Sequence, residues 1–356
     1  MTHLVDYSFD SREWDAYLEA SRSATVYHTL EWRSILEDVF GYETRYAICR
    51  NGVGDVAALL PIALVRSWIT GNRVVSLPFS QYGGLLISDP EALECIVEHL
   101  RIYLRHGFQY VQLRAREPLE QNSVMRSSLR LSEYYSRCVI PLENRNEDDV
   151  WNSMHKNSVR RAINRSSRAG VRVEFGLRLN GINQVRDLML QTCKKHGVPP
   201  YSPRLLKAIG DVLVPKNLAK ILLAKLDNKI IATLILFTMN REAIYAYNFS
   251  DPNYLKSDPN NALIWAAIKW SLKSGLREFD MGISSPQDNK LLSFKMRWGA
   301  IEDKLPEYFL ATGNQKDIVS DRRASLKYRL ASFAWRFLLP DFLTATIGPR
   351  LISHFG

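Results

Sequence analysis

A run of positive charge in the middle of the chain is the first feature that suggests chemistry. Residues 155–170 read His-Lys-Asn-Ser-Val-Arg-Arg-Ala-Ile-Asn-Arg-Ser-Ser-Arg-Ala-Gly, with five Lys or Arg side chains and no acid. Gly170 suits the C-terminal cap of a helix. In such a helix Arg161, Arg165 and Arg168 are four and three residues apart and share one face. The pattern predicts a helix that binds an anion such as a phosphate, and the alternative is a solvated basic face.

A glycine pair interrupts a strand-like segment of the first half. Residues 74–87 read Val-Val-Ser-Leu-Pro-Phe-Ser-Gln-Tyr-Gly-Gly-Leu-Leu-Ile. Gly83 and Gly84 indicate either a place where the backbone approaches a ligand closely or a bend between two strands. The spacing alone leaves both interpretations open.

The composition is that of a globular protein with an excess of basic residues. The 356 residues are 46% hydrophobic and 24% charged, with 47 Lys and Arg against 37 Asp and Glu, a net charge of +10 and a pI of about 9.4. Such a balance favours anionic partners, whether nucleic acid, a phosphorylated substrate or a membrane surface. The length predicts two domains, each long enough to bury its own core.

Other features of the sequence exclude whole classes of site. The four cysteines lie far apart and lack metal-ligand spacing, so neither a metal site nor a disulfide framework is expected. The N-terminus has no apolar segment typical of a signal peptide, and no apolar run approaches the roughly 20 residues needed to span a bilayer. The expected location is the cytoplasm.

The elements that must position these residues occur twice along the chain. The strand–turn–strand pattern of residues 47–64 returns at 222–239, and the helix–strand pattern of 90–114 returns at 261–283. Self-similarity at such a long period predicts a duplicated domain instead of a solenoid. Two like domains side by side would leave a cleft, where ligands usually bind.

The predicted boundaries follow from composition and periodicity. The acidic patch at residues 143–149 marks the domain junction, because the charge changes sign after it. The Asn260-Asn261 pair is expected to cap the following helix. The predicted domains are 1–145 and 146–312, followed by a tail over 313–356. The periodicity predicts helices at 11–20, 30–40, 92–105, 181–196, 204–213 and 262–274, and strands at 46–50, 56–65, 110–114, 136–142, 244–249 and 279–283.

Five motif segments then stand in one order along residues 25–310. They are Thr29–Trp32, Ser76–Leu85, Lys156–Arg165 with Ala169–Val171, Gly275–Gly282 and Phe294–Gly299. Each is weak alone, but the ordered set resembles the FemAB family of aminoacyl and acyl transferases. The resemblance implies an α/β (α+β) protein of two tandem GNAT-like domains, each a mixed, mostly antiparallel sheet flanked by helices, with an amphipathic helical tail at the C-terminus.

The resemblance also implies an activity. It implies transfer of an acyl or aminoacyl group onto a primary amine of a cell-envelope precursor, either a peptidoglycan peptide or an amino sugar of a polysaccharide. In peptidoglycan-bridge members the donor is aminoacyl-tRNA and the acceptor is a lipid- or nucleotide-linked muropeptide. No tightly bound cofactor or metal is expected, and the co-substrate is aminoacyl-tRNA or acyl-CoA.

Candidate residues follow by position in those motifs. Lys295, beside Phe294, corresponds to the Lys of the family's Phe-Lys motif at the reaction centre. As a cation it could stabilise an oxyanion, and as a desolvated neutral amine it could accept a proton. Asp280 is a candidate for orienting the amine, with structural capping as the alternative. The predicted substrate-binding residues are Tyr82, Gly83, Gly84, Arg160, Arg161, Arg165 and Tyr247.

Two departures from the family pattern, and one from ordinary acetyl-CoA-binding GNAT domains, bear on the substrates. Where Fem enzymes tend to carry a Lys after the motif Trp, this chain has Ile35 and Leu36, which weakens the expectation of a muropeptide acceptor held there. The long helical arm of some Fem proteins has no room, which weakens direct tRNA use. The loop Asp251–Asn261 lacks the glycines of a pyrophosphate-binding loop, which argues against a conventional CoA site.

The tail carries an apolar stripe of its own. Leu326, Leu330, Phe333 and Phe337 are spaced four, three and four apart, with Trp335 and several cations beside them. This pattern predicts either a helix lying on anionic lipid at the inner face of the cytoplasmic membrane or a helix packed on the second domain.

Two other functions are retained as alternatives. One is an acyl-CoA-dependent N-acetyltransferase acting on a small amine or amino sugar. The other, from a different class, is a basic nucleic-acid-binding protein that uses the helix at residues 155–170, although no RNA-recognition motif or stacking aromatics accompany it.

Overall fold

The protein consists of two compact units, each assembled from more than one segment of the chain. A computed structural model describes residues 3–119, 128–176, 181–285, 288–311 and 326–356. Unit 1 comprises Met1–Tyr135, Lys304–Asp321 and Ser353–Gly356, and unit 2 comprises Ser136–Asp303 and Arg322–Ile352. Each unit has its own hydrophobic core.

The described residues contain both helices and strands. The helices are α1 Ser11–Ala20, α2 Leu30–Asp38, α3 Ala92–Arg105, α4 Glu147–Ser153, α5 Arg161–Arg168, α6 Ile182–His196, α7 Pro203–Ala208, α8 Pro259–Lys273, α9 Asn289–Met296, α10 Leu326–Phe337 and α11 Asp341–Leu351. The strands are β1 Leu4–Asp6, β2 Glu43–Arg50, β3 Val56–Val65, β4 Arg73–Val75, β5 Leu86–Ile87, β6 Tyr110–Arg114, β7 Arg130–Pro141, β8 Arg172–Phe175, β9 Ala219–Leu226, β10 Lys229–Met239, β11 Glu242–Ser250, β12 Glu278–Ser284 and β13 Ile301–Ala311. One π-helical turn, Lys156–Arg160, leads into α5, and another, Ile209–Leu213, follows α7.

Unit 1 is a mixed sheet in the strand order β1-β2-β3-β4-β6-β13, with β5 paired to β3. Only β4 and β6 run parallel within this order, and α3 connects them. Every residue of β3 after Val56 is buried, which is typical of a strand covered on both faces. The apolar stripe of α3, which includes Ile96, Leu100 and Leu104, packs on the sheet and forms the core of the unit.

Unit 2 repeats this arrangement in the order β7-β12-β11-β10-β9-β8. Its one parallel pair is β11 and β12, joined by α8, and all other neighbours are antiparallel. The core contains Leu263, Ile264 and Ile268 of α8 and the fully buried Trp298. The predicted duplication is confirmed, because β2-β3-β4-β6-β13 and β9-β10-β11-β12-β7 have the same directions and the same helical crossover.

The compact units differ from the predicted segments 1–145, 146–312 and 313–356. Residues 136–141 of β7 pair with β12 and belong to unit 2, whereas residues 307–311 of β13 pair with β6 and belong to unit 1. The last strand of unit 1 therefore comes from a separate segment of the chain, whereas unit 2 begins within β7. A charge change in the sequence cannot mark such a boundary, because strand pairing decides it.

Most predicted helices and strands are present with small shifts, but the start of α8 differs. The helix begins at Pro259, and Asp258, at φ 51°, occupies the N-cap position. Asn260 and Asn261 consequently lie in the first turn and are not the cap. The Asn260 side chain instead accepts a hydrogen bond from Asn248 Nδ2 of β11, at 3.2 Å.

The tail forms the helices α10 and α11, both assigned to unit 2 as far as Ile352. Residues 313–325 and the side chains of Leu326 and Leu330 lie outside the described residues. Trp335, predicted to flank the apolar stripe, is instead buried, while Phe333 and Phe337 are exposed. Among the described residues, no helix combines the length and the apolar character needed to cross a membrane.

Candidate functional site

The parallel strands β11 and β12 of unit 2 separate after a short contact. They pair at three positions, from Glu242 opposite Glu278 to Ile244 opposite Asp280, although β11 continues to Ser250 and β12 to Ser284. On its other side β12 pairs with β7 up to Asp280 and again from Ile283, with a register shift between these residues. Met281 and Gly282 thus form a bulge, and Gly282 has φ 80°, a conformation that favours glycine.

Lys295 supplies the hydrogen-bond donor that this bulge lacks. Its Nζ donates to the carbonyl oxygens of Gly282 at 2.9 Å and Ile283 at 2.8 Å. The side chain is only 4% exposed and comes from α9, whose N-terminus is capped by the Asp288 side chain. Two of the three ammonium N–H groups are therefore engaged by backbone carbonyls.

Burial changes the acidity of Lys295. It lowers the pKa of the ammonium, while the neighbouring Cys138, Asp280 and Asp288 oppose this effect in part. Hydrogen bonds to carbonyl oxygens favour the charged form of an amine, because the ammonium has three donors and no acceptor. The candidate site is therefore the buried amine of Lys295, which two backbone carbonyls hold beside the place where β11 and β12 no longer pair.

Asp280 lies within β12, at the third residue of the strand. It is fully buried, with Oδ2 accepting from Arg137 Nε at 2.8 Å and Oδ1 accepting from the Gly282 N–H at 2.6 Å. Arg137 also pairs with Glu278 on the same strand. Such partners offset the cost of removing a carboxyl group from water. The structure thus brings Asp280 and Lys295 to the same bulge: Asp280 accepts from the N–H of Gly282, and Lys295 donates to its carbonyl oxygen.

Phe294, next to Lys295 in α9, points into the core of unit 2. Its ring lies 6.3 Å from that of Trp298 in an edge-on arrangement. Tyr247, on the part of β11 beyond its contact with β12, is buried in an aromatic cluster with Tyr201 at 5.3 Å and Phe237 at 6.0 Å. Both residues stay predictions as catalytic or substrate-binding groups.

The basic segment forms the predicted helix, and its arginines differ in their surroundings. Arg160 donates to the Met154 and Asn152 carbonyl oxygens, at 3.0 and 2.6 Å, and so anchors its own backbone. Arg165 forms an ion pair with Asp258. Residues 155–170 contain no acid, but Asp258, from the distant start of α8, offsets part of the positive charge on this helix. Arg161 is exposed, and no carboxylate of the described residues pairs with it.

In unit 1, the loop that carries Tyr82, Gly83 and Gly84 is packed tightly into protein. The Tyr82 ring is fully buried. A Cβ on Gly84 would lie 2.1 Å from the Arg114 carbonyl oxygen, and one on Gly83 would lie 2.7 Å from Leu77 Cβ. At Gly84 the backbone thus packs closely against β6, which is protein and not a ligand. A substrate contact of this loop stays a prediction.

His28 holds this loop and was missed from the sequence. Its Nδ1 accepts from the Thr25 N–H at 3.0 Å, so Nε2 carries the proton and donates to the Gly84 carbonyl at 3.0 Å. Complete burial lowers the pKa of His28 to about 4. The Thr25 hydroxyl also donates to the Tyr82 carbonyl, at 3.3 Å. The three-residue spacing of Thr25 and His28 was the available signal. Arg137 was missed too, because it belongs to none of the motifs.

Comparison with known proteins places this geometry in a known fold. Residues 153–291, within unit 2, match the family model described as acetyltransferase (GNAT) domain. No curated protein sequence matches the chain.

Solved structures match over most of the length. The crystal structure of FemX is 14% identical and covers 87% of this chain and 97% of its own, with a TM-score of 0.68. A tandem GNAT protein from the clavulanic acid biosynthesis pathway is 11% identical, with 88% and 99% covered and a TM-score of 0.56. A C-terminal domain assigned to a lysylphosphatidylglycerol synthetase from Agrobacterium fabrum is 12% identical, with 95% and 96% covered and a TM-score of 0.54. The chain therefore has the tandem GNAT fold of FemX, and the predicted resemblance to the FemAB family is confirmed in its architecture.

Proposed function

We propose that the protein is a transferase that forms an amide by moving an acyl or aminoacyl group onto a primary amine of a cell-envelope precursor. The observation that carries the proposal is the gap between β11 and β12 with the buried Lys295 ammonium at its bulge. The match to the GNAT acetyltransferase domain and the FemX-like fold support it. The proposed acceptor is a peptidoglycan peptide or an amino sugar of a polysaccharide.

The chemistry uses the third N–H of Lys295. The lone pair of the acceptor amine attacks the donor carbonyl, a C–N bond forms, and the carbonyl oxygen becomes an oxyanion. A donor held in the gap would place this oxyanion near Lys295, whose charge stabilises it. Collapse expels the thiolate of CoA or the ribose oxygen of tRNA, and the amine proton passes to that leaving group or to solvent. In this proposal Asp280 positions the bulge and does not bind the amine.

The donor is aminoacyl-tRNA or acyl-CoA, and one feature of unit 2 disfavours a conventional CoA contact. A pyrophosphate usually binds backbone N–H groups at a helix N-terminus after a glycine-rich loop. Here the segment before α8 has no glycine, and Asp251 and Asp258 place carboxylates at that end. Because Arg165 and Lys229 pair with these two carboxylates, the missing glycines are what disfavours a pyrophosphate contact here.

A pair of donor assays tests the proposal. Purified protein is incubated separately with radiolabelled acetyl-CoA and with radiolabelled aminoacyl-tRNA, each with a lysine-containing muropeptide or with glucosamine as acceptor. Mass spectrometry then identifies the amide product. Label on an acceptor amine, lost in Lys295→Met and kept in the exposed Lys290→Met, would support the assignment. Absence of amide product with both donors and both acceptors would contradict it.

Specific observations bear on two other functions and favour only the first of them. The acetyltransferase description of the matched family model supports an acyl-CoA-dependent N-acetyltransferase of small amines, which the glucosamine arm of the assay detects. Nucleic-acid binding through the basic helix is disfavoured, because Arg160 contacts its own backbone and Arg165 contacts Asp258.

The proposal includes a peripheral location at the inner face of the cytoplasmic membrane, with the tail as the contact.

A further inference from the structure

Four large apolar side chains are exposed where α10 turns into α11. Phe333 is 55% exposed, Phe337 62%, Leu338 68% and Phe342 68%. The rings of Phe333 and Phe337 lie 5.0 Å apart, and Leu338 follows directly. We call these four residues the apolar elbow. Single exposed apolar residues are ordinary on a protein surface, whereas a group of four at one turn indicates an interaction site.

Packing on the opposite side of both helices directs these side chains outward. Trp335 is 7% exposed, and residues two apart on a helix lie about 200° apart around its axis, so a buried Trp335 turns Phe333 and Phe337 away from the protein. In α11 the buried Thr344 is likewise two residues from Phe342.

Close contacts prevent the helices from rotating to bury the elbow. A Cβ on Gly197, at the end of α6, would lie 2.2 Å from Ser332 Oγ, and one on Gly348 would lie 2.3 Å from Pro200 Cδ. These two glycines allow α10 and α11 to lie directly against the rest of unit 2. The exposed face is therefore built into the fold of the unit.

Basic residues outnumber acidic ones in the segment that carries the elbow. The Arg336 guanidinium lies 5.0 Å from the centre of the Phe337 ring. Burial lowers the pKa of His196, and the nearby positive charges of Lys195 and Arg336 lower it further, whereas Asp288 opposes them. Residues 326–352 of the sequence contain the cations Lys327, Arg329, Arg336 and Arg350 and one acid, Asp341.

We propose that the apolar elbow inserts into the interface of a bilayer that contains anionic lipid. Aromatic and aliphatic side chains with basic neighbours suit the boundary between headgroups and acyl chains. A second copy of the chain is the competing occupant, but a symmetric contact centred on the elbow would bring the Arg336 residues of both copies together. Lipid phosphates would neutralise them instead. The inference deepens the proposed function. It depends on that function only for the location of the protein at the cytoplasmic membrane.

Vesicle sedimentation tests the inference on the full chain. The vesicles consist of phosphatidylcholine alone or of an equimolar mixture with phosphatidylglycerol. We expect the protein to sediment with the anionic vesicles, less with the neutral ones, and less again as salt is raised. The double substitution Phe337→Ser and Leu338→Ser should lower the partition coefficient at least about tenfold, because both side chains lose apolar area. Phe342→Ser alone should lower it by a smaller factor.

The matched control is Val53→Ser, which removes an apolar side chain that is 75% exposed in unit 1. This variant should sediment like the parent protein. Circular dichroism melting must show an unchanged Tm for every variant, as expected for exposed positions. Equal sedimentation of the double variant and the parent, or no sedimentation of the parent with anionic vesicles, would overturn the inference.

Two further measurements separate the alternatives. If light scattering shows that the parent is a dimer and the double variant a monomer, while neither binds vesicles, the elbow is an interface between copies and the inference is wrong. Transfer to a water-soluble acceptor is measured without vesicles in both proteins. Normal transfer by the double variant leaves the proposed function intact when membrane binding is lost, and vesicle binding without any transfer contradicts only the proposed function.

Discussion

The Lys295 ammonium donates to the carbonyl oxygen of Gly282, which lies 13 residues earlier on a neighbouring strand. Gly282 belongs to the bulge that β12 forms beyond its contact with β11 and between its two stretches of pairing with β7, so this bond replaces one that a strand would have made. The same ammonium is the group proposed to stabilise the oxyanion. Its structural and chemical roles therefore depend on one side chain, and a substitution must be tested for both.

Lys295→Ala should lower the rate of transfer at least about tenfold, because one positioned charge at a reaction centre contributes a few kcal/mol. It should also lower the free energy of unfolding by about 1–3 kcal/mol, since two buried carbonyls lose their donor. Transfer assays and urea unfolding measure the two effects. Lys290→Ala, at an exposed position of the same helix, is the control and should change neither. Full activity with unchanged stability would remove Lys295 from both roles.

Stability should fall as the pH drops from 6.5 towards 4, in part because of His28. The folded state keeps His28 neutral, with a pKa of about 4 against the ordinary 6.5. Between these values the unfolded chain binds the additional proton, so stability rises with pH and this contribution is complete above 6.5. The shift corresponds to about 3 kcal/mol.

Urea unfolding at a series of pH values measures this effect. His28→Gln retains a donor and an acceptor, and its stability should fall less between pH 6.5 and 4 than that of the parent. His106→Gln, at an exposed position, should preserve the parent's pH dependence. Parallel curves for His28→Gln and the parent would contradict the assignment.

Arg161→Ala should weaken binding of a phosphorylated acceptor about three- to tenfold, because an exposed guanidinium with no acidic partner in the described part of the chain can bind phosphate through two N–H groups. Arg165→Ala should have a smaller effect, since Asp258 already engages that guanidinium. Calorimetry with a nucleotide-linked muropeptide and its dephosphorylated form measures both, and the difference should shrink at high salt. Arg186→Ala, at a half-buried position of α6, controls for net charge. Equal losses for the two ligands would exclude a phosphate contact.

Gly84→Ala should destabilise the protein by about 2 kcal/mol, because the added methyl group would lie 2.1 Å from the Arg114 carbonyl oxygen and the loop must move. Gly210→Ala is the matched control: its Cβ meets no atom within 4 Å, and alanine is preferred to glycine in a helix. That variant should be neutral or slightly more stable. Thermal unfolding compares them, and an unchanged Tm for Gly84→Ala would show that the loop yields without cost.

Local patterns in the sequence determined the elements and the duplication. The predicted bounds of α1, α3, β3 and β6 agree with the structure, because a strand or helix with one or two covered faces shows its period over its own length. The repeated order of such elements was sufficient to predict two similar domains, and the ordered set of sequence motifs carried the resemblance to the FemAB family. It also placed Lys295 and Asp280 in motifs, and in the structure they meet at one bulge.

Tertiary structure alone decided the partners of these residues. Arg137 meets Asp280 across 143 positions of the chain, and Arg165 meets Asp258 across 93. The last strand of unit 1 likewise comes from a separate part of the sequence. Trp335 lies inward and Phe337 outward, although both are aromatic residues of one helix, because only the surface beneath α10 distinguishes its two sides. Periodicity reports which face of an element is apolar, but the contact that buries or pairs a side chain depends on segments that folding brings together.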